Sequence, residues 1–152
     1  MTRIVVGVDD SPGGRAALRW ALREAELRGA ELEVVNAWPL PMAEGWNREW
    51  PADEAAFRQA STDLLQKLVA ECSPPDGGRV TPSLVPLRSE GPAFGLIEYS
   101  EGADLLVVGS RGRGGFSSLL LGSVSVQCVH HARCTVVVVK VPADPPLPGR
   151  ST

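Results

Sequence analysis

Short apolar runs alternate with helix-period stretches along this chain. Residues 3–9, RIVVGVD, are compact and rich in β-branched side chains, which predicts a buried strand. Ser11 follows where an N-cap belongs and Pro12 occupies the first helical position. Ala17, Leu18, Ala21, Leu22 and Ala25 recur at helical spacing, and Gly29 ends the run. A second strand is predicted at 31–38, ELEVVNAW. Residues 39–50 read as a loop that carries Trp46 and Trp50 close behind Trp38, either covering one end of the core or forming a flap over a ligand or partner. A long helix is expected from Pro51 to Cys72, with Phe57, Ala60, Leu64, Leu65 and Leu68 on one face, and SPPDGG at 73–78 breaks it.

The third strand, 79–87, contains Pro82 and Pro86, which cannot donate ladder hydrogen bonds, so it belongs at a sheet edge. A short helix over 90–101 opens near Pro92 and closes at Gly102. ADLLVVG at 103–109 is a fourth strand, 110–121 a loop with at most one short turn, 122–132 a helix, and TVVVVKV at 135–141 a fifth strand. Five strands alternating with four helices predict an α/β domain with a doubly wound parallel sheet over residues 1–141. The proline-rich residues 142–152 read as a flexible tail. Ligands of such sheets bind beyond the carboxyl ends of the strands, where the winding reverses. That rule directs attention to Asp9 and Gly109.

Composition narrows the function. Hydrophobic residues make up 43% of the 152, enough for a core without metal or disulfide staples. The formal net charge is −3, and the basic residues, Arg except for Lys67 and Lys140, are scattered, so no basic field recruits nucleic acid. The N-terminal apolar stretch is too short for a signal-peptide core or a membrane span. Cys72, Cys128 and Cys134 form no C-x-x-C pair, and a reducing cytoplasm is the expectation.

The chemistry concentrates after the fourth strand. No G-x-x-x-x-G-K-[ST] loop is present, and Gly112-Arg-Gly114 is only half a dinucleotide fingerprint. Gly109 and Gly112 let main-chain N–H groups approach an anion, and Gly122 and Ser123 open a helix whose first N–H groups lack internal partners. Ser123 and Ser125 add hydroxyls, and Arg111 and Arg113 offer positive charge. The residues alone leave two readings open: a polyphosphate cradle, or a flexible glycine loop with a serine N-cap.

The spacing G-x2-G-x9-G-[ST], met at Gly109, Gly112, Gly122 and Ser123, resembles the ATP-binding signature of the universal stress protein family. VGVDDSPGG near the start and VHHARCTVVVV near the end extend the resemblance over about residues 3–140. Thr135 stands where the family usually has proline, and Asn36 where histidine is common. The resemblance implies strand order 3-2-1-4-5 and a bound ATP whose phosphates hold Mg2+. It places Val8 and Asp9 at the adenosine portion and Ala37 at the adenine edge. Val108 and Gly109 would line the ribose and first phosphate, with Arg111, Gly112, Gly122, Ser123, Val124 and Ser125 around the phosphates. Asp9 has a second reading, as a turn or capping residue ahead of Pro12.

Cys128, His130, His131 and Cys134 crowd together, but His131 and Cys134 match packing positions of the family's H-A-x-C-P motif, and no metal site is expected. His131 lies about 12 Å along its helix from Ser123, beyond general-base reach, and no catalytic set emerges. The expected function is a nucleotide-dependent regulatory binding protein of the stress response with an unidentified protein partner. A slow ATPase and a dimeric scaffold with a vestigial pocket are the alternatives. In the implied strand order the fifth strand is a long apolar edge, so a homodimer through residues 135–141 is expected.

Overall fold

The computed structural model describes residues 1–39, 54–111 and 121–141. Its elements alternate as β1 (Arg3–Gly7), α1 (Pro12–Arg28), β2 (Glu31–Pro39), α2 (Glu54–Cys72), β3 (Ser83–Ser89), α3 (Pro92–Tyr99), β4 (Leu105–Gly109), α4 (Ser123–His131) and β5 (Thr135–Val139). All strand pairs are parallel, and the sheet runs β3-β2-β1-β4-β5. The architecture and the strand order are those expected. Among the described residues β3 pairs with β2 alone, and such an edge is where Pro86 can be accommodated.

Strand alternation divides the core. Ile4, Val6, Val34 and Val107 face one side with Leu18, Ala21, Leu65 and Leu68 of α1 and α2. Val5, Val35, Leu106 and Val108 face the other side with Leu96 of α3 and Cys128 of α4. Both faces of the central strands are covered, so they read as unbroken apolar runs. Helix α1 starts and stops where its sequence dictates. Ser11 accepts a hydrogen bond from the Gly14 N–H at 3.0 Å, Pro12 opens the helix, and Gly29 closes it in the left-handed region at φ 60°.

Four expectations are corrected. β3 runs over Ser83–Ser89 rather than 79–87, so of the two prolines only Pro86 lies in the strand. β1 ends at Gly7 rather than at residue 9: the Val8 N–H still reaches the Val35 carbonyl, but the Val8 carbonyl is taken by the Asn36 side chain. β5 ends at Val139, short of residue 141. Helix α2 buries Ser61, Leu65, Leu68 and Cys72, whereas Phe57 and Ala60 are exposed. Phe57 stacks instead on Trp38 at the end of β2, with ring centroids 5.8 Å apart. The buried stripe is shifted because Ser61 has a polar partner beneath it, the side chain of Asn36 at 2.8 Å. Trp46, Trp50, Pro51 and the tail lie outside the described residues.

This register has a measurable consequence. Leu65→Ala is expected to lower unfolding free energy by about 2–5 kcal/mol. Phe57→Ala, which removes one exposed aromatic pair, should cost about 1 kcal/mol. Urea titration of the two variants checks the order, and the reverse ranking would mean a rotated helix.

Candidate functional site

The crevice at the carboxyl end of the sheet opens between β1 and β4, the strands from which the chain winds in opposite directions. Main chain rather than side chain builds its centre. A Cβ placed on Gly13 would lie 2.0 Å from the Arg111 carbonyl oxygen, and one on Gly109 would lie 2.6 Å from the Gly13 carbonyl oxygen. A Cβ on Gly14 would meet the Asp9 carbonyl oxygen at 2.5 Å and Asp9 Oδ1 at 2.7 Å. The start of α1 is therefore wedged between the exits of β1 and β4, with glycine at each contact. Ser11 ties the wedge together, donating its hydroxyl to Asp9 Oδ1 while accepting from Gly14.

Asp9 sits half-buried at the head of this wedge, with the Ser11 hydroxyl on its Oδ1, the contact expected of a turn residue ahead of Pro12. Asp10 is turned onto Arg15, 2.7 Å away, with Lys67 at 4.0 Å. The Val8 N–H donates to the Val35 carbonyl at 2.9 Å, and the Val8 carbonyl accepts from Asn36 Nδ2 at 2.9 Å. Period-two alternation turns the Ala37 N–H and carbonyl the same way as those of Val35, toward the position that β1 has just left. Asn36 on β2 thus ties the Val8 carbonyl, just past β1, to Ser61 of α2, a role invisible in sequence because its two partners are far apart in the chain.

On the other side, Val108 is buried and Gly109 ends β4. The Ser110 N–H donates to the Val139 carbonyl at 2.8 Å, and the Ser110 carbonyl accepts from the Gly122 N–H at 2.6 Å. The chain therefore leaves at Arg111 and returns at Leu121 through one neck. Gly112 and Arg113 lie outside the described residues. Helix α4 opens at Gly122 in extended backbone with no side-chain cap. Its first N–H groups have no acceptor within the helix. Ser123 is exposed, Val124 packs into the core, and Ser125 is buried. The single hydroxyl hydrogen of Ser125 lies within reach of the Gly122 carbonyl at 2.9 Å and the Ser110 carbonyl at 3.1 Å.

His130 and His131 occupy the last turn of α4, remote from Gly122. Burial pushes the Cys128 thiol up to about 11, with a smaller push from Cys134, so Cys128 stays a neutral core group at ordinary pH. Among the described residues, no group of three or more His, Cys, Asp or Glu side chains is placed to hold a metal ion. Nor is any described helix long and apolar enough to cross a membrane.

Gly13 and Gly14 were not singled out in the sequence reading. The available signal was two adjacent glycines in the first turn of a helix, where each costs about 1 kcal/mol relative to alanine and must be required by something outside the helix.

Residues 1–140 match the family model described as Universal stress protein family. A universal stress protein of Mycolicibacterium smegmatis is 38% identical over 143 residues, covering 90% of this chain and 47% of that protein. The chain thus spans about half the length of the curated relatives it matches. Among solved structures, a universal stress protein in complex with cAMP superposes with a TM-score of 0.67 at 24% identity, covering 93% of this chain and 98% of that one. A family member from Arabidopsis thaliana with AMP bound gives 0.63 at 22% identity, covering 99% and 100%. These two likenesses establish the fold.

Two measurements follow from the site geometry. Gly13→Ala and Gly109→Ala should each destabilise the ligand-free protein by about 1–3 kcal/mol, the usual range for forcing a methyl into a packed contact. Thermal unfolding without ligand reads this directly, and unchanged midpoints would mean that the contact is looser than described. The Cys128 thiol holds its proton more tightly folded than unfolded, so it contributes stability below the ordinary thiol range that is lost as pH rises toward about 11. Between pH 9 and 11 the stability of Cys128→Ala should therefore fall less steeply than that of the wild type in urea titrations.

Proposed function

This chain belongs to the universal stress protein family, and we propose that it binds ATP in the crevice between β1 and β4 as a nucleotide-dependent regulatory protein. The observation that carries the reading is the uncapped start of α4 facing the end of β4. An anion there meets main-chain donors and the positive end of the helix dipole, worth roughly 0.3–1 kcal/mol from the dipole alone.

The remaining parts fit an adenine nucleotide. Ala37 offers a main-chain donor and acceptor pair toward the edge vacated by β1, suited to the rim of a purine. Asp9, next to the ribose in this reading, would accept hydroxyl hydrogens of the sugar. Val8, Val108 and Gly109 line the middle of the crevice. Ser123, Val124 and Ser125 present N–H groups to the phosphates, Ser123 adds its hydroxyl, and Gly112 and Arg111 complete the loop. The described residues supply no carboxylate cluster for a divalent ion, so Mg2+ would be held by the phosphates and water. Adenine nucleotides in the solved family members, cAMP and AMP, support the ligand class. Binding rather than turnover is favoured because both histidines stand at the far end of α4.

The proposal includes a second copy of the chain. Among the described residues β5 pairs only with β4, and Thr135–Val139 is a row of β-branched residues. Pairing of two such edges would bury an open ladder and give a two-fold dimer. Sedimentation at micromolar concentration should report a dimer, and a monomer would remove this part.

Saturating Mg-ATP at about 100 times its dissociation constant should stabilise the protein by roughly 2.7 kcal/mol. Gly122→Val should abolish that shift, and Asp9→Ala should weaken it, in thermal unfolding with and without nucleotide. Mass analysis of small molecules released from the purified protein by heating gives the complementary readout. If no adenine nucleotide is recovered and none shifts the midpoint, the reading fails.

A further inference from the structure

A cleft of about 200 Å³ lies between the second half of α1 and the connection from α2 to β3, away from the crevice just described. Four of its lining residues, Arg19, Leu22, Arg23 and Glu26, follow the i, i+3, i+4, i+7 spacing and form one stripe of α1. Opposite them the chain turns after Cys72 through Gly77 and Gly78, both in the left-handed region at φ 84° and 62°, and delivers Arg79 and Val80. The floor is apolar: Leu22 and Cys72 are buried and Val80 is half-buried.

Charge on this cleft is one-sided. Arg19, Arg23 and Arg79 carry three guanidiniums against the single carboxylate of Glu26. None of the three arginines forms an ion pair among the described residues, although Arg3, Arg15, Arg28, Arg88 and Arg133 all do. Asp76, in the same turn, accepts from the Gly78 N–H at 3.4 Å and forms no ion pair with these arginines among the described residues. Three exposed arginines without an ion pair around an apolar floor make a local positive patch on a chain of net charge −3.

We propose that this cleft binds a small organic dianion, its apolar body against Leu22 and Val80 and its phosphate or carboxylates on Arg19, Arg23 and Arg79. Guanidinium groups pair with either oxyanion in the same bidentate fashion, so the shared chemistry is the paired negative charge on a compact hydrophobic body. The volume sets the size class, because a cavity of about 150 Å³ accommodates a benzene ring. The site is separate from the proposed nucleotide crevice. It lies roughly 14 Å along α1 from Gly13, nine residues at the helical rise.

The test uses the full chain labelled with nitrogen-15 and phenyl phosphate as probe. The amides of Gly77, Gly78 and Val80 are expected to shift in a saturable way at millimolar probe, whatever the amides of Ser123 and Val124 do. The exposed double substitution Arg19→Ala/Arg79→Ala should weaken the apparent affinity at least tenfold and keep any thermal shift given by ATP. Gly122→Val should leave the phenyl phosphate response unchanged, which separates this site from the nucleotide reading. Unmoved glycine amides, or equal affinity in the double variant, would overturn the proposal. Inorganic phosphate binding as tightly as phenyl phosphate, or an acidic peptide binding more tightly, would overturn the ligand class.

Discussion

Three strips of bare main chain meet at the head of the sheet, and the rest of the structure is arranged around that meeting. Gly13 lies under the Arg111 carbonyl, Gly109 against Gly13, and Gly14 against Asp9. Side chains at any of these positions would push α1 away from the strand exits and widen the crevice. Two glycines in the first turn weaken α1 as a helix by about 1 kcal/mol each relative to alanine. The Ser11 cap, Pro12, and the buried stripe from Ala17 to Ala25 offset that loss. The glycine at 109 is thus required by the protein's own packing before any ligand is considered. That explains the residue more directly than an approach by phosphate does.

The alternation of strands and helices was legible in sequence because each element carries its own punctuation. Ser11, Pro12 and Gly29 bound α1 as local chemistry requires, and Pro86 marks the edge strand. The full strand order came from the family signature, since periodicity does not say which strands are neighbours. Where a residue's role depends on a distant partner, sequence reasoning misassigned it or missed it. Phe57 has helical spacing with Leu64 and Leu68, yet it is exposed and stacks on Trp38. Asn36 and Ser61 form a polar bridge under α2 to the Val8 carbonyl that neither segment announces. The cleft beside Arg19 and Arg79 was invisible for the same reason: it exists only once the turn at Gly77 and Gly78 folds back on α1.

The start of α4 gains its standing by comparison with the other helices whose starts are described. Helix α1 is closed by Ser11, so one of its free donors already has a partner. Helix α3 also lacks a side-chain cap, but Pro92 at its first position removes a donor, and it follows β3 at the outer edge of the sheet. Helix α4 has neither a cap nor a proline, and it follows β4, one of the two strands that flank the crevice. Its first turn is also fixed in place, by the Gly122 N–H and the Ser125 hydroxyl closing on the Ser110 carbonyl. An anion that binds there meets donors that need no reorganisation, and main-chain donors cannot swing away as arginine or lysine side chains do. The wedge at Gly13 and Gly109 holds the opposite wall at the same time. A ligand spanning from Ala37 to Ser123 would therefore bridge β2, the exits of β1 and β4, and the start of α4, all of which are in place without it.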